Sequence, residues 1–148
     1  MKTTKLISMT KNIFIGILTT MMIVSFTSCA RKLVFLKSSV TPAAEGYVKV
    51  KTDKNNNYVI QINLSNLAEI DRLQPPKKTY VIWILTDQES TQNIGRITSS
   101  NKLNATFETV SSYKPIKVFI TAEEDADAQY PGETIVLTTE KFWDQSTD

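Results

Sequence analysis

The sequence predicts an all-β fold, a single antiparallel sandwich of about seven strands, and three features point to it. Apolar residues recur with a period of two in short runs. Polar, turn-forming clusters separate those runs at near-regular spacing. Past the N-terminal segment, no stretch sustains the 3.6-residue period of an amphipathic helix. The 148 residues suit one domain. Their 41% hydrophobic and 22% charged content, with four Gly and five Pro, is globular rather than disordered or collagen-like.

Taken from the N-terminus, the first element is a leader. Lys2, Lys5 and Lys11 form a basic region, followed by the uncharged apolar stretch 13–26 (IFIGILTTMMIVSF) and the small residues Thr27 and Ser28 before Cys29. That is the layout of a secretory signal. A bilayer core requires roughly 20 apolar residues, whereas Arg31 and Lys32 interrupt this run early, so a retained spanning helix is the weaker reading.

Phe26-Thr27-Ser28-Cys29 resembles the lipobox of bacterial lipoproteins. The resemblance implies cleavage of 1–28 and lipidation of the Cys29 sulfur. It also accounts for an odd cysteine count, since the one cysteine stands where acylation would consume it. Two or three acyl chains make attachment practically permanent, where one gives only reversible binding. Ala30, rather than Asp, resembles the outer-membrane destination. The expected location is therefore the cell envelope, on the outer membrane facing the periplasm.

Cleavage changes the charge. Loss of three lysines takes the basic count from 17 to 14 against 15 acidic residues, a formal charge of −1 for residues 29–148. No basic stripe is left to favour a nucleic-acid partner. With no histidine and one cysteine, His-based acid–base catalysis, Cys–His pairs and the usual zinc sites are excluded. No cofactor is expected.

Residues 29–44 read as a lipidated cysteine and tether. Within them 33–36 (LVFL) is too apolar for a plain linker, and reads as an extra edge strand or a segment against lipid. Arg31 and Lys32 suit anionic headgroups or a simple spacer. The sandwich is expected over 45–140, with 141–148 as a polar tail. Its strands are 47–51, 58–64, 79–86, 94–98, 102–109, 116–122 and 134–139. The first two form a hairpin around the turn-rich 53–57, and 79–86 (TYVIWILT), apolar on both faces, is a central strand. Residues 66–73 suggest one helical turn, stopped by Pro75-Pro76. Such an arrangement is Ig-like. Lysines on 47–51, taken as an edge, discourage edge-to-edge pairing and favour a monomer.

Over roughly 47–137 a second resemblance appears. Tyr80-Val81-Ile82-Trp83-Ile84-Leu85, a later Gly95, then Phe119-Ile120-Thr121-Ala122-Glu123, Pro131-Gly132 and Ile135-Val136-Leu137 resemble the extracytoplasmic domain of anti-sigma-K-type regulators. Glu124 stands where that family has Pro, Asp125-Ala126-Asp127 replaces its glycines, and Pro131-Gly132 lacks an intervening residue. The 148 residues carry no counterpart of the family's sigma-binding domain. The resemblance implies a fold and a compartment, and carries over neither sigma-factor inhibition nor catalytic residues.

Several residues are candidates for a site. Trp83 reads as the core tryptophan of a sandwich rather than a ligand-stacking ring. Glu123, Glu124, Asp125 and Asp127 would offer oxygen ligands to Ca²⁺, although the spacing is not that of an EF-hand and equally describes a solvated loop. Adjacent Glu123 and Glu124 make a poor catalytic pair, because successive strand side chains point oppositely. Tyr113, Tyr130, Phe142 and Trp143 could contact a sugar or partner, or close the ends of the sandwich. Ser38, Ser39, Ser111 and Ser112 lie near lysines without a motif. The expected function is non-catalytic: a membrane-anchored interaction or structural module with an envelope protein partner. Possible contacts are Glu123, Asp125, Asp127, Tyr130 and Trp143. A glycan- or calcium-binding module and a hydrolase are the alternatives.

Overall fold

The computed structural model describes residues 30–97 and 104–143. Cys29 and the leader lie outside them. Eight strands form two antiparallel sheets: β1 (Arg31–Val34), β2 (Glu45–Thr52), β3 (Tyr58–Ser65), β4 (Thr79–Thr86), β5 (Thr91–Ile97), β6 (Ala105–Ser111), β7 (Pro115–Glu123) and β8 (Ile135–Thr138). One sheet has the order β1-β2-β3-β6 and the other β5-β4-β7-β8. The predicted β-sandwich is thus present, with one strand more than expected.

Period-two patterning explains the two layers. Val48 and Val50 of β2, Ile60, Ile62 and Leu64 of β3, and Phe107 of β6 meet Tyr80, Ile82 and Ile84 of β4 and Val118 and Ile120 of β7 in one apolar core. The β2–β3 hairpin is in full register from Glu45↔Ser65 to Thr52↔Tyr58. Its connection closes on Asp53, whose Oδ1 accepts from the N–H of Asn57 (2.8 Å) and Asn55 (2.7 Å), while Asn56 takes φ 62°. Those N–H groups, led by that of Asn57, hold the Asp53 carboxyl below its ordinary range. At 66–73 the single turn expected is a 3-10 turn, Ile70–Arg72.

Three expectations are revised. The tether is part of the fold: β1 pairs with β2 from Arg31↔Val50 to Val34↔Tyr47. Phe35 then bridges to Thr139 of the other sheet, the Leu36 N–H donates to Thr138 O, and Ser38, Thr41 and Ala44 are buried. Of the two readings of 33–36, the edge strand holds: Leu33 and Val34 end β1 at the edge of its sheet and Phe35 is buried in the core, while Val34 and Leu36 stay exposed. The tail beyond 140 is likewise not all polar surface, because Phe142 is buried in the core and its N–H donates to Ile116 O. Lastly, β2 is an interior strand. The edges are β1, β6, β5 and β8, so the lysines of 47–51 guard no edge.

Gly95 shows how closely the layers meet. It sits beside a bulge in the β4–β5 pairing, at φ +143°, and a Cβ there would lie 2.7 Å from the Phe107 ring of the opposite sheet.

Candidate functional site

Two clusters of chemistry-bearing side chains stand out from the ladder, one on the outer face of β4 and β7 and one where the termini meet. The first starts from Trp83. Its neighbours Ile82 and Ile84 point into the core, so alternation turns Trp83 to the outer face with its register partner Phe119, the two rings 6.4 Å apart and nearly parallel. Trp83 is nonetheless 0% exposed. The expected buried, structural tryptophan is present, but on the outer face of its sheet and outside the inter-sheet cluster, on the side where Asn93 holds the β7–β8 connection.

Hydrogen bonds fix that connection. Asn93 on β5, the register partner of Trp83, donates from Nδ2 to the carbonyls of Ala126 and Ala128, 3.0 Å each. Trp83 Nε1–H donates to Thr121 Oγ1 (2.8 Å), and Thr121 donates in turn to Glu123 Oε1 (2.5 Å). Gly132 N–H donates to the same Oε1 at 2.7 Å. A Cβ on Gly132 would stand 2.7 Å from the Glu123 carboxylate, so any larger residue there would make that carboxylate shift. Glu123 is only 9% exposed, and these bonds satisfy a carboxylate that burial would otherwise penalise.

The acidic run therefore splits by role. Glu123 turns inward to Thr121 and Gly132, Glu124 faces Lys77 (3.4 Å) and Lys78 (3.7 Å), and Asp125 Oδ1 accepts from Asp127 N–H in a local turn. Among the described residues no group of three acidic or sulfur ligands gathers to hold a metal. Tyr130, on the same connection, is 84% exposed and closes no end of the sandwich. An open groove of about 600 Å³ lies along the contact of this connection with β5, lined by Gln92, Asn93, Arg96, Asp127 and Gln129 among others.

Trp143 is not part of this cluster. It lies at the other end of β7, where its Nε1–H donates to Pro115 O at 2.9 Å. The Arg31 guanidinium stands 4.1 Å from its ring centroid and Lys114 Nζ 4.8 Å, while Arg31 Nη1 also donates to Phe142 O at 2.9 Å. One residue along β1, Lys32 Nζ lies 4.1 Å from the Tyr47 ring centroid, with Lys49 at 5.6 Å. The serines are used locally: Ser38 Oγ accepts from the N–H of Val40 and Thr41, and Ser111 Oγ bonds the Tyr113 backbone.

Sequence reading singled out Glu123, Asp125, Asp127 and Tyr130, which the structure joins in one segment, and Trp143, which it places apart. It missed Asn93, Thr121 and Gly132. Thr121 left one trace, a polar side chain set between apolar neighbours near the end of 116–122.

The chain matches no protein-family model, no curated protein and no solved structure.

Proposed function

We propose that the protein is a lipid-anchored lipoprotein of the bacterial envelope whose sandwich serves as a non-catalytic interaction or structural module. The observation that carries this reading is Phe26-Thr27-Ser28-Cys29, closing an uncharged apolar stretch behind a basic start and holding the chain's only cysteine. The resemblance to the extracytoplasmic domain of anti-sigma-K-type regulators supports the same compartment, and Ala30 supports the periplasmic face of the outer membrane. The hydroxyls and carboxylates described above are consumed by turns, the latch over Trp83 and ion pairs, an arrangement suited to holding a surface in shape. Asp125, Asp127 and the exposed Tyr130 are the contacts assigned to an envelope protein partner.

Alkaline washing of membranes tests the anchor. Wild-type protein is expected to stay with the membrane and Cys29→Ser to be released; a variant that stays would refute lipidation. In-cell crosslinking tests the module, a discrete protein being expected with the lipidated bait and lost with Tyr130→Ala.

A second reading, glycan binding, is favoured by the polar groove between β5 and 126–129, whose amides and Arg96 suit hydroxyl-rich ligands. A glycan that raises the melting temperature in proportion to its concentration would support it over the protein partner.

A further inference from the structure

We infer that the end of the sandwich where the termini meet is a membrane seat, binding the anionic headgroups of the bilayer that holds the anchor; the inference rests on the lipoprotein reading above. Reach comes first. Arg31 is two residues past Cys29 and already paired with Val50, and two extended residues span at most about 7 Å. A lipid on Cys29 thus keeps this end of the domain within reach of the headgroups, and whether it rests on them is decided by the surface it presents.

Charge comes second. Arg31 and Lys114 lie on the Trp143 ring at this end, while Lys32 and Lys49 lie on the Tyr47 ring on the opposite face of β1 and β2, so the β1 edge carries cations on both of its sides. None of the four takes part in an ion pair among the described residues; the pairs found there, Glu69–Arg72, Lys77–Glu124 and Lys78–Glu124, involve other cations at the opposite end. Four cations without carboxylate partners, next to the point of attachment, complement a phosphate-rich surface at about fivefold in affinity per charge.

Amphipathic character comes third. Tryptophan and tyrosine favour the headgroup level, with one edge apolar and the other hydrogen-bonded. Val34, the register partner of Tyr47, adds an apolar side chain 65% exposed on the face that carries Tyr47, Lys32 and Lys49. The bonds from Arg31 to Phe142 O and from Trp143 to Pro115 O hold these two side chains in place, so they lose little freedom on contact. The nine residues of β7 run away from this end before the connection carrying Tyr130 begins, which leaves the partner-facing segment clear of the bilayer.

The test uses the full protein purified from membranes, its Cys29 lipid verified by mass, and reconstituted into vesicles of phosphatidylcholine alone or mixed with phosphatidylglycerol. The readout is quenching of tryptophan emission by a shallow spin-labelled lipid. Quenching is expected in the anionic vesicles. It should fall several-fold in phosphatidylcholine, in high salt and in the Lys32→Gln/Lys49→Gln/Lys114→Gln variant, and disappear in Trp143→Phe, since Trp83 is covered. Lipidated protein whose tryptophan emission is unquenched, or equally quenched in both vesicle types, would overturn the seat and leave the anchor standing. A mass showing no lipid on Cys29 would instead overturn the lipoprotein reading, and the seat with it.

Discussion

Thr121 joins two buried groups that alternation alone would have left on a solvent face. Its hydroxyl accepts from the Trp83 indole and donates to Glu123, so Thr121→Val, nearly equal in volume, strands an indole N–H and removes one partner from a buried carboxylate. The expected loss is about 2–3 kcal/mol in urea unfolding, with Thr121→Ser, which keeps the hydroxyl, retaining most of the stability. Tyr80 is a second residue whose surroundings set its chemistry. Burial, and secondarily the Asp71 charge, push its phenol up from 10.0 to about 12, and its O–H donates to Ala68 O at 2.9 Å. The neutral phenol is favoured by folding, so this contribution is complete below pH 10 and is lost as pH rises toward 12. It amounts to about 3 kcal/mol at most, and Tyr80→Phe should flatten that alkaline fall in stability measured by denaturant titration.

Among the elements, β5 is constrained most tightly at Gly95. Gly95→Ala combines an unfavourable φ with a clash against the Phe107 ring, and should cost about 2–4 kcal/mol, read as a lowered thermal midpoint. A compensating Phe107→Leu would recover part of that loss. Most strands were legible in the sequence because their apolar residues alternate cleanly, as Val48, Val50, Ile60 and Ile62 do. The face of Trp83 was not. The run TYVIWILT is apolar on both sides, so its period assigns no inward direction, and only the cover supplied by 124–134 explains how both faces are buried. The run 33–36 was equally ambiguous, because four apolar residues suit an edge strand and a lipid contact alike. The cluster of Arg31 and Trp143 joins residues that lie 112 apart in sequence, a proximity that no local pattern encodes.

At the scale of the molecule, the sandwich is closed by its own ends. β1 and Phe35 tie the first sheet to Thr138 and Thr139 of the second, and Phe142 plugs the core beside Ile116. A chain beginning at Glu45 loses the strand on β2 and the buried Phe35, Thr41 and Ala44, and should be aggregation-prone or show a markedly lower melting temperature than one beginning at Ala30. Equal stability of the two would mean that 30–44 is a dispensable tether. The same closure brings the start of the domain to the point where the anchor is proposed, which ties the fold to its place in the envelope.

The most direct test of that tie is the intact mass of the protein purified from membranes. The account predicts a chain beginning at Cys29 and carrying two or three acyl chains. A chain that keeps residues 1–28, or that starts elsewhere with a free Cys29 thiol, would contradict it.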